Sequence, residues 1–93
     1  MNATAPDPAV TVLGTLHAAL LQAARQRLTD PARALAATDL HVVWLQPAGA
    51  DAALSTQAQA TGGGRSLCFC EAEARDAHGQ AVARAMATVR YAP

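Results

Sequence analysis

The segment from residue 8 to residue 28, PAVTVLGTLHAALLQAARQRL, most constrains the fold of this 93-residue chain, because it predicts one long helix. Asp7 stands before it as an N-cap, and Pro8 takes the first helical position, where a missing N–H costs nothing. Pro31 stops the run soon after Leu28. Apolar residues recur around an arc so wide that the helix is expected to be enclosed on several sides. The leading apolar stripe is predicted to be Val10, Leu13, His17, Leu20, Leu21, Ala24 and Leu28, with Val12, Leu16, Ala19 and Ala23 beside it.

The rest of the chain alternates with the period of a strand. Strands are expected over residues 38–46, 52–61, 65–75 and 80–91, with turns at 47–51, 62–64 and 76–79. The last two strands each offer a face of small residues, on which a helix rich in leucine can pack closely. The expectation is an α+β fold in one domain over residues 1–93. Its helix (8–28) packs on a four-stranded antiparallel meander (38–91), behind a frayed N-terminus at 1–7.

Composition argues against several classes of partner. The net charge is zero, and Phe, Tyr and Trp occur once each, so neither the charge nor the stacking residues of a nucleic-acid-binding protein are present. No positively charged leader or membrane-length apolar run is seen, which predicts a cytoplasmic protein without a membrane partner. Cys68 and Cys70 are expected to be reduced, buried thiols on one face of a strand, and no metal site or cofactor is predicted.

Residues 39–48, DLHVVWLQPA, resemble a pattern found in one group of acyl-CoA thioesterases, D-L-x-V-x-(F/Y/W)-L-R-P-A. The group is the 4-hydroxybenzoyl-CoA and phenylacetic-acid-pathway type. Residues 64–67, GRSL, match its G-R/K-x-L hairpin, and residues 71–76 and 82–85 match its last two strands. The resemblance covers residues 39–91 closely and the helix more loosely. It implies the hotdog fold, in which a long central helix packs on an antiparallel sheet.

The resemblance also implies an assembly and a site. The expected assembly is a homodimer or higher homo-oligomer, with sheets joined edge to edge through residues 38–46. An acyl-CoA or similar thioester would lie at the dimer interface, with the CoA moiety as part of the substrate. In this family a helix carboxylate serves as base or nucleophile, and amides of an H-G-G motif polarise the thioester carbonyl.

The chain departs from that pattern in two ways. The two strands that precede the helix in the family have no counterpart here, which suggests a short form, a misassigned start or a truncated gene and leaves the strand at 52–61 as an uncovered edge. Residues 8–28 also contain no Asp, no Glu and no H-G-G. In the preferred register the motif falls on residues 8–10 and the carboxylate position at or next to His17. In the other register Gly14 is a motif glycine and the carboxylate position is Gln22.

Each helix candidate has an alternative interpretation. One interpretation makes His17 a general base or substrate contact, since a neutral imidazole can take a proton from water near neutral pH. The other interpretations make it a core or interface histidine bonded to backbone, or a metal ligand. Gln22 could hold a water but cannot deprotonate it, and is otherwise a solvent or interface amide. Gly14 either contributes to an oxyanion site or allows close helix–sheet packing.

Three candidates lie outside the helix. Asp39 is carried over as an interface catalytic group, or is a hydrogen-bonding residue at the strand start. Gly64 and Arg65 are carried over as substrate-binding residues near the CoA phosphates, or form an ordinary solvated hairpin. The sequence therefore predicts hydrolysis of an acyl-thioester by a dimeric thioesterase. The alternative is a non-catalytic hotdog module that binds acyl ligands or acts as an assembly subunit.

Overall fold

The computed structural model describes residues 7–47 and 54–93, and within these ranges one helix packs on one four-stranded sheet. The elements are α1 (Pro8–Arg25), β1 (Leu35–Trp44), β2 (Ser55–Gly63), β3 (Leu67–Arg75) and β4 (Ala81–Tyr91). All strand pairs are antiparallel, so the predicted helix on a four-stranded antiparallel sheet is confirmed. The fraying expected at residues 1–6, the turn expected at 48–51 and the strand start expected at 52–53 lie outside the described residues.

The order of the strands is β1-β4-β3-β2, so the predicted meander is wrong in one respect: β1 pairs with β4 and not with β2. Strands β3 and β4 carry the sheet's buried positions and occupy its centre. Strands β1 and β2 have no buried residue and form the two edges. The physical reason is that strands with many apolar side chains on the helix-covered face remove most surface from water when they lie at the centre of the sheet.

Helix α1 begins as predicted and ends earlier than predicted. Asp7 Oδ1 accepts a hydrogen bond from the Ala9 N–H at 2.9 Å, and Pro8 occupies the first turn. After Arg25 the chain tightens into a turn in which the Leu28 N–H donates to the Arg25 carbonyl at 3.0 Å. The Ala24 carbonyl accepts from the Tyr91 hydroxyl at 2.8 Å, so a group at the helix end is satisfied by the last strand.

The core consists of bulky helix residues packed on small sheet residues. Leu16 and Leu20 are completely buried. The sheet side of this core is formed by Cys68, Cys70, Ala72, Ala74, Ala83, Ala85, Ala87, Val89 and Tyr91. The predicted match of leucines to a small-residue surface is confirmed.

The sheet buries only one side of α1. The buried stripe runs through Val12, Leu16 and Leu20, whereas Val10 is 63% exposed and Leu13 is 36% exposed. The apolar arc of the helix is wider than the surface that four strands offer, so one side of the arc remains uncovered in the protomer and the helix is not enclosed on several sides.

Cys68 and Cys70 are free, buried thiols on the helix-facing side of β3, as predicted, with their Sγ atoms 3.3 Å apart. Burial raises the pKa of Cys70 to about 12. Burial also opposes ionisation of Cys68, but hydrogen bonds from Tyr91, Arg27 and Cys70 outweigh it and lower the pKa of Cys68. Cys70 therefore stays protonated at neutral pH.

The sheet face opposite α1 carries an ion-pair network. Glu73 accepts from Arg75 Nε at 2.6 Å and from Arg84 Nε, across the β3–β4 ladder, at 2.9 Å. The hydrogen bond from Arg84, with that from Arg75, lowers the pKa of Glu73. The carboxylate is thus stabilised in its charged form by two guanidinium groups.

The core predicts that substitutions at two helix positions change the free energy of unfolding by very different amounts. Leu16→Ala should lower the free energy of unfolding by about 2–5 kcal/mol, because it removes a completely buried side chain. Val10→Ala, at a position 63% exposed, should lower it by less than about 0.5 kcal/mol. Urea unfolding followed by circular dichroism measures both, and similar losses in the two variants would contradict this description of the core.

The ion-pair network predicts a pH dependence of stability. Because the folded pKa of Glu73 is lowered, its stabilising contribution is present above its unfolded pKa, about 4.3, and is lost as the pH falls through the folded value. Between pH 7 and about pH 3 the wild type should therefore lose more stability than Glu73→Gln. Glu71→Gln is the matched control, since Glu71 accepts from neutral Gln59. An unchanged acid sensitivity in Glu73→Gln would show that the network does not contribute.

Candidate functional site

An apolar groove of about 450 Å³ lies between the first half of α1 and the start of β1. It is lined by Val10, Leu13, Gly14, His17, Ala37, Thr38, Asp39 and Leu40. Three of the six predicted site residues, Gly14, His17 and Asp39, therefore share one surface, although they come from two elements that are separate in sequence.

The helical repeat determines which side chains of α1 line this groove. Val10, Leu13 and His17 recur at spacings of three and four residues and so share one side of the helix, the side that the sheet leaves uncovered. His17 is exposed, so the interpretation of it as a core histidine of the protomer is wrong. The groove presents one imidazole among exposed aliphatic side chains.

A β-bulge positions Asp39. The register between β1 and β4 shifts at Thr38, and at this point the Asp39 carboxylate accepts from the Thr88 N–H at 2.8 Å. The Thr38 hydroxyl donates to the Thr88 carbonyl at 3.2 Å. Both backbone groups of Thr88 are thus satisfied by side chains. Asp39 is held at the edge of the groove by a structural hydrogen bond.

Gly14 is not needed for helix–sheet packing within the protomer. An added Cβ at Gly14 meets no atom within 4 Å, so close helix–sheet packing does not require a glycine there. Its N–H lies in the helix interior, where an amide bonds to the carbonyl four residues earlier, so it is not free for an oxyanion. Val10, which also lines the groove, lies in the first turn of α1, where backbone N–H groups lack the carbonyl of a preceding helical turn.

The other three predicted residues lie away from the groove. Gln22 is exposed further along α1 and does not line it. Gly64 and Arg65 are exposed in the turn between β2 and β3. That turn adjoins β2, the opposite edge of the sheet from β1, so neither residue joins His17 within one protomer.

A second, larger depression of about 980 Å³ lies on the open face of the sheet and is lined by His41, Val43, Leu45, Glu73, Arg84 and Met86, among others. None of the predicted site residues lines it. We take the smaller groove as the candidate site because three of the six predicted site residues line it, whereas none lines the larger depression.

In residues 7–47 and 54–93 no three His, Cys, Asp or Glu side chains are grouped as metal ligands would be. In the same part of the chain no helix has the length and hydropathy needed to cross a membrane.

Several solved structures have the same fold, and one of the three described here is a thioesterase. The Escherichia coli PaaI protein of the phenylacetic acid degradation operon has a TM-score of 0.79 and 17% identity, over 90% of this chain and 58% of its own. A Bacillus halodurans protein solved with CoA has a TM-score of 0.76 and 17% identity, over 85% and 54%. A Thermus thermophilus thioesterase complexed with coenzyme A and Zn has a TM-score of 0.73 and 17% identity, over 90% and 68%.

These likenesses establish that the chain has the hotdog fold, as residues 39–91 predicted. The chain spans 54% to 68% of the length of these three structures. Neither a family model nor a curated protein matches the sequence.

The role of Asp39 in the bulge can be separated from any role in chemistry. Asp39→Ala should lower the free energy of unfolding by about 1 kcal/mol, because the Thr88 N–H loses its acceptor. Asp39→Asn keeps an acceptor oxygen and should lower the free energy of unfolding clearly less than Asp39→Ala does. Urea titrations of both variants measure this difference. Equal stability of all three proteins would show that the hydrogen bond does not stabilise the fold.

Proposed function

We propose that this chain is an acyl-CoA thioesterase, or the part of one that carries the groove, and that hydrolysis takes place between α1 and β1. The observation that carries the proposal is the meeting of His17 and Asp39 in an apolar groove. It is supported by the fold, which is shared with a thioesterase complexed with coenzyme A and with a further protein solved with CoA.

The groove suggests how a thioester would be held. The acyl chain packs on Val10, Leu13 and Leu40, which are aliphatic and partly or largely exposed. The thioester carbonyl oxygen accepts from the Val10 N–H in the first turn of α1, where the helix dipole favours developing negative charge.

His17 supplies the base in this proposal. Its neutral imidazole takes a proton from water, and the oxygen attacks the thioester carbonyl carbon. The C–S bond then breaks, and the leaving CoA thiolate recovers the proton from the imidazolium. The products are the free acid and CoA. Asp39 orients the water or the imidazole with the carboxylate oxygen that Thr88 does not use.

We further propose that the active unit is a homodimer joined through β1. In the protomer β1 is an edge strand, and Val43 and Trp44 at its end are 45% and 42% exposed. Pairing with a second β1 would satisfy the edge and place the groove beside the interface. Gly64 and Arg65, which lie away from the groove in one protomer, would then contact the CoA phosphates from the other subunit.

One observation favours a second candidate function. Helix α1 contains no Asp or Glu, so the group that the resemblance assigns to catalysis is missing. A hotdog module that binds acyl ligands without hydrolysing them, or that completes an assembly, would not need that group.

Hydrolysis is tested by incubating the 93-residue protein with a panel of acyl-CoAs and following the loss of thioester absorbance. The wild type should turn over at least one member. His17→Ala should lower kcat by about 100-fold or more, since general-base catalysis contributes about 10²–10⁴-fold. Thr15→Ala, at an exposed position of α1 outside the groove, is the matched control and should keep full activity.

The outcomes separate the candidate functions. Turnover that is unchanged in a folded His17→Ala protein would contradict the assignment of the base and move it to Asp39. Acyl-CoA binding by calorimetry without turnover would support the binding module. Neither binding nor turnover from a folded protein would overturn the acyl-CoA proposal, leaving an assembly role.

A further inference from the structure

Two nucleophilic side chains of this protein take no part in the proposed hydrolysis. Cys68 and Cys70 are the two cysteines of the chain, and both lie in the core on the helix-facing side of β3. Their Sγ atoms are 3.3 Å apart and share a hydrogen bond. Side chains two positions apart on a strand share a face without having to touch, so the rotamers of these residues bring the two sulfur atoms together. We call them the thiol pair.

The thiol pair lies beneath the turn that follows α1. Arg27, in this turn, has an exposed side chain whose Nη1 donates to the Gly62 carbonyl at 2.6 Å. An added Cβ at Gly63 would lie 2.7 Å from Cys68 Cα and 3.0 Å from Arg27 Nη1, so a side chain there would collide with both. The structure therefore keeps a guanidinium group close to Cys68, at the end of a core without buried charged residues among those described.

The surroundings of the two thiols differ in their effect. Burial opposes ionisation of Cys68, but hydrogen bonds from Tyr91, Arg27 and Cys70 outweigh it and lower the pKa of Cys68. Burial raises the pKa of Cys70, and the adjacent Cys68 thiolate raises it further. Because the thiolate is the nucleophilic form of cysteine, Cys68 is the first of the pair to react.

We propose that Cys68 and Cys70 are a reversible oxidation site, at which a hydroperoxide converts the two thiols into a disulfide. The Cys68 thiolate attacks a peroxide oxygen and the O–O bond breaks. The departing hydroxide takes up the proton that Cys68 has lost and leaves as water. The Cys70 sulfur then attacks the sulfur of the Cys68 sulfenic acid, the S–O bond breaks, and hydroxide leaves with the Cys70 proton as a second water. Two thiols and one hydrogen peroxide thus give one disulfide and two waters.

The first step prepares the second. A sulfenic acid carries no charge, so the part of the Cys70 pKa shift that is due to the Cys68 thiolate disappears once Cys68 is oxidised. Cys70 then loses its proton more readily, at the step that requires its thiolate. Cys68 is completely buried while Arg27 lies over it, and peroxide, which is little larger than water, reaches it when this exposed side chain swings aside.

The geometry of a strand makes the resulting disulfide easy to reduce. Cα atoms two residues apart in a strand are separated by about 6.4–6.8 Å. This is the upper end of the range for disulfide-linked residues, whose Cα atoms are most often about 5.5–6 Å apart. The bond therefore strains β3, and strained disulfides are the labile ones.

The test exposes the folded 93-residue protein to hydrogen peroxide and follows its mass. The wild type should lose the mass of two hydrogen atoms, located by peptide mapping to residues 68–70, and should regain it with dithiothreitol. Dimedone traps sulfenic acids. Cys70→Ala should give a dimedone adduct at Cys68, and Cys68→Ala should give at least about tenfold less adduct, because Cys70 is the protonated thiol. Circular dichroism confirms that each variant is folded.

Arg27→Gln tests the cation and leaves both thiols in place. The midpoint of the pH profile for the rate of disulfide formation should move to higher pH, because the Cys68 thiolate loses a positive neighbour. Easier access alone would scale the rate at every pH without moving the midpoint. Arg25→Gln is the matched control, since Arg25 Nη1 donates to the Pro31 carbonyl at 2.7 Å and does not act on Cys68. Its midpoint should equal that of the wild type.

Several outcomes would overturn the proposal. Thiols that stay reduced in the folded protein, at a peroxide concentration that oxidises them in urea, are inert core residues. An equally strong dimedone adduct in Cys68→Ala would contradict the order of reaction, and a disulfide between two chains on a non-reducing gel would contradict the pairing. An unchanged midpoint in Arg27→Gln would contradict the role of the cation. If the cysteine variants do not fold, the wild type and Arg27→Gln still decide. No readout involves acyl-CoA, so the thioesterase proposal stands or fails separately.

Discussion

The contact on which the structure depends is that of Leu16 and Leu20 with the small residues of β3 and β4. Both leucines are completely buried, and the opposing positions are mostly alanine and cysteine. Because the sheet supplies little bulk, the helix has to supply it and must come close to do so. This contact fixes the rotation of α1 about its own axis. Everything on the remaining sides of the helix, including His17, is placed by that rotation.

The groove is a consequence of the same packing. The apolar arc of α1 covers more of its circumference than a four-stranded sheet can bury, so Val10 and Leu13 stay exposed above β1. One side of α1 thus packs in the core, and the adjoining side lines the candidate site. The bulge at Thr38 and the hydrogen bond from Thr88 hold Asp39 at the edge of that site. The site is therefore rigid on its β1 side, which suits a function that needs fixed geometry.

The features predicted correctly from the sequence are those specified by neighbouring residues. The start of α1 follows from Asp7 and Pro8, and the inward faces of β3 and β4 follow from strict alternation. Strand order and the end of α1 were predicted wrongly, and the bulge at Thr38 was not predicted, because all three depend on contacts between distant residues. The Tyr91 hydroxyl reaches the Ala24 carbonyl, and the Asp39 carboxylate reaches the Thr88 amide. The rotation of α1 did not follow from the sequence either, since two adjoining apolar stripes look equally suited to burial until the sheet is in place.

The position of β4 has a consequence for how the chain reaches this structure. The last strand in sequence lies in the interior of the sheet, and it pairs with β1 so that Leu35 stands opposite Tyr91. Strand β1 is connected to β3 and β2 only through β4. The sheet beneath α1 is therefore incomplete until β4 has been synthesised. Contacts between such distant residues slow folding relative to a helical protein of this size. During synthesis the leucines of α1 therefore emerge before the strands that bury them.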